Sequence, residues 1–173
     1  MTGMPREAAL ALAAFGDSTR QLAREMLGER FEVVEAWGPV QMAVAHLELA
    51  RDGQHVEWHT ERGFADAVRV RDAATPALEV ALAVATIAWA RSTDARGMPR
   101  GPEVEVPRGV ADADAVVRSN WRAVLDWLPT ADHPRIERIA DAWWQDWPFL
   151  HLRPGTDVEV ADWVARVEDA ARD

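Results

Sequence analysis

Apolar positions along the chain change their spacing, and each change marks a predicted element. Residues 6–28 repeat at the helical period with a break at Gly16; Ser18 and Gln21 form a capping-box pattern, and Gly28 sits where a helix-ending glycine belongs. From 31 to 71 the repeat shortens to strand alternation, predicting strands at 31–37, 41–50, 55–61 and 65–71. Residues 75–90 predict a helix, with Thr75 as cap and Pro76 in the first turn. The run from Pro76 to Ala90 carries a single charge, so that helix needs cover on more than one side and takes the central place. Residues 91–109, rich in Gly, Pro and Arg, predict a loop, with or without a short edge strand at Val104–Val106.

Helices follow over 112–171. The first, 112–128, carries the stripe Val117, Trp121, Val124, Leu125 and Leu128 and stops at Pro129. The second, 134–147, carries Ile136, Ile139, Ala140, Trp143 and Trp147 and stops at Pro148. A short strand is predicted at Phe149–Leu152, and Thr156 with Glu159 makes a capping box for a last helix over 157–171. These elements describe an α+β fold: an antiparallel four-stranded meander packed on a central apolar helix, with a helical C-terminal part, in one compact domain of 173 residues.

The strand register is readable. Asp52-Gly53 is the favoured pair for a two-residue hairpin turn, and it sets Leu49 against Val56 and Leu47 against Trp58. A three-residue loop would set Leu47 against Glu57 and mix the faces, so alternation selects the first register. The expected apolar face is Phe31, Val33, Ala45, Leu47, Leu49, Val56, Trp58, Val68 and Val70. The reverse face then holds His46 opposite His59 and Glu48 opposite Glu57, with His55 and Glu61 nearby.

Paired carboxylates across two strands repel, so something must offset Glu48 and Glu57. His46, His59, Glu48 and Glu57 are candidate ligands for Zn²⁺, Mn²⁺ or Fe²⁺, and a His–Glu pair is a candidate for acid–base chemistry. A turn near Gly63 supplies a plainer answer by setting Arg69 beside Glu57 and Arg71 beside His55, while Glu32 falls beside His46. A polar face answered in this way is an ordinary solvated sheet face or a partner-binding one.

Composition alters the picture in three ways. The net charge of −10 speaks against nucleic-acid binding and fits an acidic surface meeting a basic partner. With no cysteine, disulfides and thiolate chemistry are excluded. Six of nine tryptophans fall in the last third; Trp121, Trp143 and Trp147 lie on core stripes, whereas Trp127 and Trp144 lie off them and are candidate partner contacts. Trp37, before Gly38-Pro39, is expected to anchor a strand turn, and His133 and His151 read as capping or packing residues. No phosphate loop, nucleophile elbow, zinc-protease motif or dinucleotide fingerprint occurs, no cofactor is called for, and no apolar run reaches membrane-spanning length. The expectation is a cytoplasmic, non-enzymatic protein; a metal-dependent enzyme and a small-molecule-binding domain are the alternatives.

The segment VAHLELARDGQHVEWHTERGFADAVRV (44–70) resembles the central sheet of small acidic actinobacterial immunity proteins encoded beside secreted polymorphic toxins. The likeness lies in a strand ending L-x-L, an R-D-G turn, a returning strand and E-R-G leading into another. It implies a protein that neutralises a toxin domain by covering its active site. Size, charge and element order also look like secretion chaperones, which act as dimers, so a homodimer is a further expectation. The partner-binding residues expected on this reading are Glu48, Glu57, His59, Glu61, Trp127 and Trp144.

Overall fold

The computed structural model describes residues 4–61, 64–65, 68–72, 75–108, 110–145 and 155–172. The fold is α+β, with six helices and an antiparallel sheet. The chain divides into two compact units, Met1–Glu79 and Val80–Asp173.

The first unit begins with helices α1 (Arg6–Ala13) and α2 (Asp17–Gly28) and continues with strands β1 (Glu32–Val40), β2 (Val44–Arg51), β3 (Gln54–Glu61), β4 (Phe64–Ala65), β5 (Arg69–Asp72) and most of β6 (Thr75–Ala81), whose last two residues belong to the second. The sheet order is β1-β2-β3-β5-β6, with the two-residue β4 paired to β3 beside β5. Ala8, Ala11 and Leu12 of α1 are buried, and α1 packs on β1 and β2. Two details at α2 differ from the sequence pattern. Its N-cap is Gly16 without a side-chain cap, so the Ser18–Gln21 box does not form. Gly28 stays inside the last turn, and Arg30 takes the left-handed conformation (φ 69°) while the Phe31 N–H donates to the Met26 carbonyl.

The hairpin register is the expected one. Asp52 (φ 52°) and Gly53 (φ 86°) make the reversal, and Leu49↔Val56, Leu47↔Trp58, His46↔His59 and Glu48↔Glu57 face one another. Ala45, Leu47, Leu49, Val56, Trp58 and Val70 are almost wholly buried on one side. β5 adds Val70↔Val56, Glu57↔Arg69 and His55↔Arg71, again as expected; the turn around Gly63 lies outside the described residues.

β1 departs from simple alternation. Val33 pairs with Leu49, yet Glu35 pairs with Glu48, so Val34 is an extra residue in a β-bulge. That one-residue slip turns Ala36 to the apolar side opposite Leu47 and Trp37 to the polar side opposite His46. Glu32 consequently faces Ala50 rather than His46. Trp37 lies within the strand instead of anchoring a turn. Beyond it Gly38 (φ 96°) lets the strand cross close to its neighbour: a Cβ there would lie 2.6 Å from the Val44 carbonyl oxygen.

The largest correction is at 75–90. Thr75 and Pro76 do not open a helix; Thr75–Ala81 is a strand, and helix α3 runs only from Leu82 to Ala90. Pro76, which lacks an N–H, sits in the edge strand of the order, where a missing donor is tolerated. An apolar run cannot announce by periodicity alone which part is strand and which is helix.

The second unit is helical. Every residue of α3 is buried, and the helix packs on α4 (Val110–Trp127) and α5 (His133–Trp144). Val117, Trp121, Val124, Leu125 and Leu128 form the buried stripe read from α4, and Ile136, Ile139, Ala140 and Trp143 that of α5. Trp147 and the Phe149–Leu152 segment lie outside the described residues. Helix α6 (Asp157–Ala171) begins with the expected capping box: the Thr156 hydroxyl accepts from the Glu159 N–H at 3.3 Å, and Glu159 Oε2 accepts from the Thr156 N–H at 2.7 Å. Trp163 packs edge-on against Trp143 and donates its indole N–H to the Trp143 carbonyl at 2.9 Å. Between α3 and α4, Val104 and Val106 are buried although the segment forms no strand there. Its start is a tight turn in which Asp94 Oδ1 accepts from the N–H groups of Arg96 and Met98.

Candidate functional site

The polar face of the sheet in the first unit carries the chemistry. Alternation on β2 and β3 and the bulge on β1 together line up three glutamates across adjacent strands, Glu35↔Glu48↔Glu57, with Arg69 beyond Glu57 on β5. Such a row is unfavourable unless cations stand between its members.

Glu48 is well answered. Its Oε1 lies 2.6 Å from His55 Nδ1 and accepts from Arg71 at 3.0 Å. Its side chain keeps only 13% of its surface exposed, so those partners offset the desolvation of the carboxylate. Arg69 donates to Glu79 at 2.9 Å. Glu57 approaches His46, with 3.6 Å between its Oε1 and Nδ1 of the ring. Glu35 approaches the other nitrogen of the same ring, Nε2, at 3.8 Å. His46 is therefore the shared neighbour of two carboxylates, and neither distance is a hydrogen bond.

Aromatic rings cover this histidine. Trp37 stacks on His46 with centroids 5.5 Å apart and planes inclined by 16°, and His59 meets Trp37 edge-on at 6.0 Å. His46 is buried as a result, and among the described residues its Nε2 has no hydrogen-bond partner.

Of the four candidate metal ligands, the fold brings His46 and Glu48 together with Glu35, which the sequence pattern assigned to no site. One ligand atom from each of these three lies within 4.8 Å of the others. Glu57 stands behind the ring at Nδ1, and His59 joins through ring contacts. The signal for Glu35 and Trp37 was present in Val33-Val34, two successive apolar residues that break alternation and mark a bulge.

No protein-family model, no curated protein and no solved structure matches the chain. The geometry of its own residues therefore carries the functional argument.

The remaining expected contacts are scattered. Trp127 is largely buried and forms part of the wall of a cleft in the second unit, with Ala88, Arg100, Asp132 and Arg135. Trp144 is half-buried at the end of α5. Glu61 closes β3, but its side chain and His151 lie outside the described residues. His133 opens α5. Among the described residues, no helix is long and apolar enough to cross a membrane.

On the first unit the polar face continues into a sheet edge. Among the described residues β1 pairs with β2 alone. Val34, Trp37 and Val40 on this strand keep 54%, 37% and 56% of their surface exposed. An apolar edge strand beside a carboxylate row is unusual for a surface that meets only water.

Proposed function

We propose that this chain is a non-enzymatic protein-binding module of immunity or chaperone type, which occupies a basic protein partner through the β1 edge and the acidic face beside it. The single observation that carries the reading is the exposure of Val34, Trp37 and Val40 on an edge strand that also bears Glu35. The edge offers unpaired backbone groups to an added strand, the apolar side chains supply area to exclude water, and the carboxylates select a partner of positive charge. The net charge of −10 acts in the same direction by steering such a partner from a distance. On this reading Glu48, Glu57, His59 and Glu61 contribute from the face. Trp127 and Trp144, in the second unit, would serve a second contact or a homodimer. A cytoplasmic toxin-neutralising role, with the partner a toxin domain, is the specific form suggested by the 44–70 segment.

Affinity capture from the native cell extract tests the proposal, run in parallel with the full chain and with a V34K/W37A variant. A stoichiometric basic partner is expected on the parent chain and should be lost from the variant. Repeated recovery of no partner, or equal recovery by both chains, would overturn it.

A further inference from the structure

We propose that Glu35, His46 and Glu48 form a binding site for one divalent first-row transition-metal ion, with Zn²⁺ the best match. Three features, charge, the buried histidine and the surrounding shell, support this site independently of the protein-binding reading.

The first is charge. In the row Glu35–Glu48–Glu57 the cations are unevenly shared. Arg71 and His55 serve Glu48, and Arg69 is drawn to Glu79. Among the described residues, the positive partner nearest the Glu35 end is the ring of His46, 3.8 Å away. A divalent ion at that end would supply the missing positive charge.

The second is the histidine itself. His46 keeps 8% of its surface exposed, and Nε2 has no hydrogen-bond partner among the described residues. A buried ring nitrogen is normally satisfied, and this one is turned toward the carboxylate of Glu35. An ion between them would satisfy both.

The third is the surrounding shell. Both bonds to Glu48 fall on Oε1, which leaves Oε2 for an ion. Glu57 stands 3.6 Å from Nδ1, where a small approach on metal binding would let its carboxylate fix the tautomer of a ligating imidazole. The ligand atoms lie within 4.8 Å of one another, whereas Zn²⁺ bonds of about 2.0–2.2 Å place tetrahedral ligands about 3.4 Å apart. Glu35, whose side chain is 58% exposed, has room to turn and close that gap. One nitrogen and two carboxylate oxygens favour a borderline ion over Mg²⁺ or Ca²⁺, which prefer oxygen alone. A fourth position remains for water or a donor from a partner.

The test is calorimetric titration of ZnCl₂ into the tag-free, chelator-treated full chain, with MgCl₂ and CaCl₂ as separate arms. One equivalent of Zn²⁺ is expected to bind, with little binding of the alkaline-earth ions. Glu35→Gln and His46→Ala should each weaken Zn²⁺ by more than about tenfold, Glu57→Gln by about tenfold, and His133→Ala should leave it unchanged. Glu35→Gln alters an exposed side chain with one long contact, so it keeps the test decisive if His46→Ala fails to fold. Failure of the parent chain to bind Zn²⁺ would overturn the proposal. So would undiminished affinity in Glu35→Gln, or Mg²⁺ or Ca²⁺ binding as tightly as Zn²⁺, which would mark a diffuse acidic surface.

Discussion

Gly38 shows how much a single position can constrain a strand. It combines a left-handed backbone (φ 96°) with main-chain atoms of Val44 and Ala45 where a Cβ would stand. Gly97 shares the left-handed backbone (φ 76°) but has open space around it. Gly38→Ala should therefore destabilise the protein by roughly 2–3 kcal/mol, and Gly97→Ala by about 1 kcal/mol, as read from urea denaturation midpoints. Equal losses would show that backbone conformation matters here and close approach does not. Trp163 makes a comparable point in a core. Its indole N–H meets the Trp143 carbonyl at 2.9 Å and its ring is fully buried. Trp163→Phe keeps most of the apolar area but removes this buried hydrogen bond, for an expected loss of about 1–3 kcal/mol.

At the scale of elements, the α6 cap and the Asp94 turn carry separate predictions. Thr156→Ala removes one half of a capping box and should cost about 1 kcal/mol, with fraying confined to the start of α6 by hydrogen exchange. In the turn, hydrogen bonds from the N–H groups of Met98 and Arg96 hold the Asp94 carboxyl below its ordinary range. A carboxyl lowered on folding favours the ordered turn above its unfolded value and loses that effect as pH falls through the lower folded one. The Met98 and Arg96 amide resonances should hold steady down to the ordinary carboxylate range, about pH 3.9, and move only below it. Movement centred at the ordinary value would contradict the bonding. Elements also differ in how legible they were. The β2–β3 register followed from Asp52-Gly53 and from pairing oily partners, because one slip would have buried charge. The Thr75–Ala81 strand was hidden because a run with a single charge, at Glu79, has too few polar positions to show a phase. The site was half legible: His46, Glu48 and Glu57 followed from the hairpin, whereas Glu35 and Trp37 depended on an irregularity that alternation ignores.

For the molecule as a whole, charge is the property that reaches furthest. With a formal charge of −10, association with a basic partner should accelerate at low ionic strength and slow steeply as salt is added. Stopped-flow association rates across a salt series would measure this, and a flat dependence would mean that the acidic surface serves solubility alone. Trp37→Ala should change mainly the dissociation rate, since its ring contributes contact area rather than charge. These kinetic signatures separate the two components of the proposed surface.

The surplus residue at Val34 has a consequence for how this strand can be compared with others. Removing Val34 would leave Glu35 across from Glu48 and Trp37 across from His46. Removing Ala36 would instead set Trp37 across from Leu47, on the oily side. An alignment gap placed two positions too late would therefore match the Glu35 carboxylate to the core position of Ala36, so the gap belongs at Val34.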